Sequence, residues 1–378
     1  MRQRLHILTV IILLGVYVLN GCRSSGPTGS AAPSKGAKAT TVKVAHPELF
    51  PEDDGYACAL FYGAEILGSL DDCGCPRHPE GGLIWRMGYA RTFAQLSPDV
   101  PILQVDLGYF FSDRRDRQGR LYPYVEKGNE WVLRAYGEMN FTVANLTAHD
   151  LPYAERLLER KTYEKAEKEM PMLTRLISAN VRARRRDYVS PPPFLIHHVI
   201  GRRLPNGATL RIGFVGLTEP PETSVSTAFT IGDPLTAARR VIPKLRSQCD
   251  VLVVLAYLPP TTVEQLARDI PGIDLILDAY KFRKARDAVR INQTTIAYAR
   301  YQTRSLGEVL IYVDERGRLA DLRTRMVRLD EAVPWDKEAE KLVDTAVEEI
   351  DLVKEEYIRK HRGPQAEETS PLTPTPWK

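Results

Sequence analysis

The segment Val251-Leu-Val-Val-Leu-Ala-Tyr257 is an unbroken apolar run ending in one tyrosine, and this narrows the folds open to the chain. A strand that is apolar on both faces must be covered on both, so layers have to pack on each side of its sheet. Strand-like runs recur at 57–62, 102–106, 141–144, 176–181, 210–217, 274–277, 294–298 and 307–313. Between them, 81–96, 123–139, 151–169, 234–246 and 261–268 read as helices. Strands alternating with helices point to an α/β domain. No internal repeat is present.

The N-terminus has a different character. Arg2 and Arg4 precede an apolar run from Leu8 to Leu19. That run is shorter than the ~20 residues needed to cross a bilayer. A basic start, a short apolar stretch and a small residue before the cut describe a secretory signal over 1–21. Leu19-Asn20-Gly21-Cys22 resembles a bacterial lipobox, in which cleavage leaves a lipid-bearing Cys22. An ordinary signal peptide with an accidental Cys is the competing reading. On the lipobox reading, acyl chains on Cys22 tie the protein to the membrane of the bacterial cell envelope. Arg23, in place of Asp, favours the outer membrane facing the periplasm. Residues 22–45 are rich in Ser, Gly, Ala, Pro and Lys and read as a flexible tether.

The folded domain is expected over 46–330. A formal charge of +4 is small for 378 residues and argues against a nucleic-acid partner. Basic residues cluster at Arg182, Arg184, Arg185 and Arg186, and again at Lys281, Arg283, Lys284 and Arg286. Cys58, Cys73, Cys75 and Cys249 form an even set, which in an oxidising compartment suggests disulfides. Cys73 and Cys75 close on each other only with strain, so bridges to Cys58 or Cys249 are the easier expectation. A zinc site on Cys73 and Cys75 would need two more ligands, and only His78 is near in sequence. His197-His198 has no matched nucleophile or ligand spacing. Residues 331–361 form a charged helix with an apolar stripe at Leu342, Val343, Ala346, Ile350, Val353 and Tyr357. The stripe either docks on the domain or, over 335–360, meets a protein partner. Residues 362–378 read as a disordered tail.

Several short motifs occur in a recognisable order. Gly68-Ser-Leu70 is followed by Gly81-Gly82-Leu83 and Arg86, with Cys73-Gly-Cys-Pro76 between them. Asp106-Leu-Gly108, Ser178-Ala-Asn-Val181, Ile212-Gly-Phe-Val-Gly-Leu-Thr218, Asp250–Ala256, Ile273-Asp-Leu-Ile276 and Ser305-Leu-Gly307 follow. Together they resemble the metallophosphatase domain of the 5′-nucleotidase and UDP-sugar hydrolase family, among the calcineurin-like phosphoesterases. The resemblance implies a four-layer α/β/β/α sandwich of two mixed sheets, here followed by a C-terminal helix. It also implies two metal ions held by Asp, His and Asn at strand ends, which clamp phosphate and activate water. The family's second, nucleoside-stacking domain has no counterpart after Leu329.

At the ligand positions the chain departs from that family's pattern. Glu65-Ile66-Leu67 stands where Asp-x-His is expected, and Tyr109 where a bridging Asp is expected. Asn145-Leu146-Thr147 replaces Gly-Asn-His, Tyr257 replaces a His, and Asp278-Ala279-Tyr280-Lys281-Phe282 replaces Gly-Gly-His-x-His. Leu and Phe offer no lone pair, and neutral Tyr or Thr is a poor substitute for imidazole on a divalent ion. The expectation is therefore no catalytic residue, no cofactor and a non-catalytic binding or scaffold role. The alternative is a phosphoesterase acting on nucleotides or other phosphate esters, with one divalent ion on Glu65, Asp106, His149 and Asp278. Against it, Asp106 and Asp278 can satisfy loop amides, and His149-Asp150 can start a helix. Tyr62, Tyr109, Tyr257, Tyr280 and Phe282 are expected to line the former metal cleft. They either fill it as core or, with Lys281, Arg283 and Lys284, make an anion pocket.

Overall fold

Alternate side chains of the strand Val251–Tyr257 enter two different cores. Val251, Val253, Leu255 and Tyr257 face one apolar cluster, while Leu252, Val254 and Ala256 face another. The same parity holds at Cys58–Gly63, where Cys58, Leu60 and Tyr62 point one way and Ala59 and Phe61 the other. Two sheets therefore share an inner core, and each is covered by helices outside, as a period-2 apolar strand requires.

The computed structural model describes residues 45–75, 77–158, 168–184, 194–204, 207–280 and 286–361. Cys22, the expected signal, almost all of the tether, and the expected tail over 362–378 lie outside the described residues. So do Arg185, Arg186, Lys281, Phe282, Arg283 and Lys284.

The strands are β1 (Cys58–Gly63), β2 (Ile102–Asp106), β3 (Val143–Asn145), β4 (Leu176–Ile177), β5 (Val181–Ala183), β6 (His197–Arg203) and β7 (Thr209–Thr218). They continue with β8 (Phe229–Ile231), β9 (Val251–Tyr257), β10 (Leu275–Asp278), β11 (Val289–Ile291), β12 (Thr294–Tyr298), β13 (Ser305–Val313) and β14 (Leu319–Arg328). One six-stranded sheet has the order β14-β13-β1-β2-β3-β4, and the other β11-β12-β10-β9-β7-β6. In the first, β1 to β4 are parallel, and β13 pairs antiparallel with both β1 and β14. In the second, β7, β9, β10 and β12 are parallel, with β6 and β11 antiparallel at the edges. β5 and β8 make a separate two-stranded ribbon. Both large sheets are thus mixed, as the four-layer expectation required.

The helices are α1 (Leu83–Leu96), α2 (Pro123–Glu138), α3 (Leu151–Leu157), α4 (Pro234–Arg246), α5 (Pro260–Asp269) and α6 (Lys337–His361). α4 shows how sequence sets a boundary: the Asp233 side chain accepts the Thr236 amide at 2.7 Å, and Pro234 needs no partner at the first helical position. α4 and α5 cover the second sheet, with Ala238, Ile242, Leu245, Val263 and Leu266 against Val254 and Ile276. α1 covers the first sheet with Trp85, Tyr89 and Phe93.

The first part of the C-terminal stripe is taken up within the chain. Ala339, Val343 and Ala346 of α6 are buried, and Leu342 and Ile350 pack on the same cluster as α2 residues Trp131, Val132 and Ala135. Trp131 donates its indole N–H to Glu349 at 3.0 Å. That part of α6 packs on α1 and α2, while Val353 and Tyr357 further along the stripe stay partly exposed.

One strand was not expected, one expected helix runs beyond the described residues, and one expectation is corrected. β14 was not anticipated; it pairs along β13 from Ser305↔Arg328 to Val313↔Leu319. The helix expected over 151–169 is described only as Leu151–Leu157, since 159–167 lie outside the described residues. The suggested disulfides are not formed, and Cys58, Cys73, Cys75 and Cys249 are all free. Cys58 is buried between the sheets and Cys249 under α4, while Cys73 and Cys75 sit on a surface loop. The layers keep the candidate partners apart.

Candidate functional site

The loops after β1, β2, β3, β9 and β10 gather at one end of the two sheets, because these strands are parallel within their sheets. The first two loops are laced together. The amides of Glu65, Leu67 and Gly68 donate to the carbonyls of Gly108, Tyr109 and Phe110 at 3.0, 3.3 and 2.9 Å. Glu65, Leu67 and Tyr109 all have left-handed backbones, with φ of +58°, +56° and +55°. Bulky residues rarely accept that region, and such strain tends to collect where surroundings over-determine the chain. Gly108, at φ +117°, is needed for another reason: a Cβ there would lie 2.0 Å from the Thr147 methyl and 2.9 Å from the Asn145 carbonyl.

Asp150 ties the second loop to the third. One oxygen accepts the Phe111 amide at 2.8 Å; the other accepts the amides of Tyr109 and Thr147 and the Thr147 hydroxyl at 3.1, 2.9 and 2.6 Å. Thr147 and Asp150 form a reciprocal capping box. Burial pushes the Asp150 carboxyl up to about 6. Leu146 is fully buried in the cluster beneath, with Ile66, Phe110 and Leu151. Asn145 donates to the Leu107 and Leu217 carbonyls, both at 3.0 Å, stitching β3 to its neighbours.

The aromatic residues meet above this base. Tyr257 donates its hydroxyl to Glu65 at 2.7 Å, and both side chains are buried. Burial first, then the Glu65 charge, pushes the Tyr257 phenol well above its ordinary value. His149 stacks on Tyr109 with ring centroids 3.9 Å apart and meets the edge of Tyr257 at 5.8 Å. Tyr257 touches Tyr109 at 6.3 Å and Tyr280 at 5.5 Å. Asp113 sits behind this stack: one oxygen accepts the Tyr109 hydroxyl and the other lies against His149 Nδ1, both at 3.1 Å. Burial pushes the Asp113 carboxyl up, but His149 and the Tyr109 hydroxyl outweigh it and hold it below the usual carboxylate range. The His149 and Asp113 side chains are each 34% exposed, so this pair forms the open lip of the cluster.

The carboxylates weighed as metal ligands have other work. Asp106 accepts the Gly108 amide at 2.8 Å and the Tyr136 hydroxyl at 2.6 Å, and burial pushes it up to about 7. Asp278 accepts the Leu258 amide at 3.2 Å, and burial pushes it up to about 8. Both serve loop amides, as one of the two sequence readings held. Among the described residues, no three His, Cys, Asp or Glu side chains are grouped so as to hold a metal ion.

Tyr62 was misplaced. It lies between the sheets, 1% exposed, where its ring covers Gly307: a Cβ on that glycine would fall 2.0 Å from the Tyr62 Cζ. Sequence reasoning missed Asp113 and the reach of Asp150. Thr147-x-x-Asp150 is a readable capping pattern; nothing local marks Asp113. Phe282, Lys281, Arg283 and Lys284 lie outside the described residues.

No family model matches the chain. The uncharacterized metallophosphoesterase YunD of Bacillus subtilis is 27% identical over 128 residues, a match spanning 34% of this chain and 27% of YunD. The structure of a 5′-nucleotidase precursor from Thermus thermophilus aligns with TM-score 0.60 at 17% identity, over 79% of this chain and 59% of that one. The calcineurin-like phosphoesterase YfkN of Bacillus subtilis aligns with TM-score 0.61 at 15% identity, over 79% of this chain and 99% of that structure. The chain therefore has the calcineurin-like phosphoesterase fold seen in 5′-nucleotidases. It spans about a quarter of its curated relative and under two thirds of the nucleotidase structure.

Proposed function

We propose that this chain is a non-catalytic binding or scaffold protein of the bacterial cell envelope, anchored through lipid on Cys22. On this reading it keeps the frame of a metal-dependent phosphoesterase and has exchanged the ligands for side chains that fill the cleft. The observation that carries the reading is the Glu65–Tyr257 hydrogen bond beneath the Tyr109–His149 stack. These groups stand at the strand ends where a dinuclear centre needs imidazoles and a bridging carboxylate.

The donor set supports the same conclusion. Leu146 turns into the core, and both Asp106 oxygens are committed to donors. A pair of divalent ions does not fit these side chains. The hydrolase reading keeps one support, the similarity to a relative named as a metallophosphoesterase.

Hydrolysis assays on purified protein separate the two. Turnover of a nucleotide or of p-nitrophenyl phosphate should stay at background with or without manganese. Turnover that a chelator abolishes and manganese restores refutes the proposal. Anchoring is tested apart: Cys22→Ser should move the protein from the membrane to the soluble fraction, and unchanged fractionation removes the lipid anchor.

A further inference from the structure

The loop between β1 and α1 carries two thiols that the cleft does not use. Cys75 is exposed, Cys73 is partly so, and neither is bonded. Gly74 between them has φ +65°, with open space where a Cβ would stand. Residues two apart on a chain bent in this way come within the about 4.4–6.8 Å Cα separation that a disulfide spans.

The loop is built to hold sulfur. Cys73 donates its amide to the Glu80 carbonyl at 2.9 Å, and its sulfur accepts the Glu80 amide at 3.3 Å. The amides of His78 and Arg77 serve the Cys75 sulfur and draw its thiol below the ordinary value, with a smaller contribution from Arg304. The nearby Glu80 carboxylate, which opposes that shift, is engaged by Arg300 and Arg328. The other two thiols contrast sharply: burial pushes Cys58 up to about 12 and raises Cys249. A zinc ion on the same pair finds no third ligand grouped with it among the described residues.

We propose that Cys73 and Cys75 are a thiol–disulfide exchange site whose substrates are exposed disulfides. The Cys75 thiolate attacks one sulfur of a disulfide R–S–S–R′; a Cys75–S bond forms, the S–S bond breaks, and R′S⁻ leaves and takes a proton from water. Cys73 gives its proton to solvent and attacks the Cys75 sulfur, expelling RS⁻, which is protonated in turn. The chain loses two electrons as Cys73–Cys75 closes, and the substrate gains them as two thiols. A ring closed over one glycine is strained, so the oxidised loop readily passes its disulfide back to an incoming dithiol.

Oxidised glutathione is the probe. The reduced protein should release two equivalents of glutathione per chain, and Cys73 and Cys75 should become protected from alkylation together. Cys73→Ser should stop at a glutathione adduct on Cys75. Cys75→Ser should react at least tenfold more slowly. Both changes lie on a surface loop, and circular dichroism checks the fold. As a measurement that needs no variant, iodoacetamide should modify Cys75 of the native protein at least tenfold faster than Cys249. Equal reactivity of the two variants, no adduct on Cys75, or a Cys73–Cys75 bond that excess reduced glutathione leaves closed overturns the proposal.

Discussion

Replacing Tyr257 with Phe removes one oxygen and tests whether the cleft is a packed structural unit. The Tyr257 hydroxyl donates to Glu65 at 2.7 Å, and Glu65 is 2% exposed. Water cannot take over the lost donor at that depth. A hydrogen bond to a charged group contributes about 1.5–3 kcal/mol, and a buried acceptor stripped of its donor costs a similar amount. Tyr257→Phe should therefore lower unfolding free energy by about 2–3 kcal/mol. With a urea slope near 3 kcal/mol/M, the midpoint should fall by roughly 0.7–1 M. Glu65→Gln should cost less, because the amide oxygen still accepts the phenol. In the double variant the losses should not simply add, since Glu65→Gln weakens the same bond that Tyr257→Phe removes. A Tyr257→Phe loss below about 0.5 kcal/mol, or strict additivity with Glu65→Gln, refutes the packed pair.

Gly108→Ala should destabilise by at least about 2 kcal/mol, seen as a lower Tm, because φ +117° and the 2.0 Å approach to Thr147 both oppose a Cβ; a neutral effect would mean the loops are not in contact. Gly88→Ala should loosen the start of α6, since its Cβ would lie 1.7 Å from the Pro334 carbonyl, and hydrogen exchange over Lys337–His361 should accelerate. Asp278 makes stability depend on pH: its folded value, raised to about 8, lies above the ~3.9 of an unfolded Asp. The stability from keeping it neutral is full below about pH 4 and lost as pH rises through about 8. Asp278→Asn should flatten that fall between about pH 5 and 8.5, measured as urea midpoints, and an unchanged slope would place the titration elsewhere.

The layered fold was legible because parity survives in sequence. Cys58, Leu60 and Tyr62 alternate with Ala59 and Phe61, and both sets are apolar, which only a doubly covered strand requires. The same parity sends Tyr62 to the inner core, where its ring covers Gly307. β14 escaped notice because Asp321, Arg323 and Arg325 make it look like a charged loop. Leu319, Leu322 and Met326, on its other face, pack on the inner core, as an edge strand with one wet side allows. The loops that gather at the sheet ends could be located in sequence, since each follows an apolar strand. What fills the space could not. The pairing of Asp113 with His149 spans 36 residues and depends on how two loops fold back on each other. The left-handed backbones at Glu65, Leu67 and Tyr109 carry no glycine to announce them.

The central claim is that buried side chains occupy the place of two cations. Elemental analysis of the protein, purified without chelators from cells grown with added manganese, zinc and iron, tests it most directly. The account predicts well under one tenth of an equivalent of any of these metals per chain. One or two equivalents that survive dialysis, and that Tyr109→Ala or Glu65→Ala releases, would contradict it.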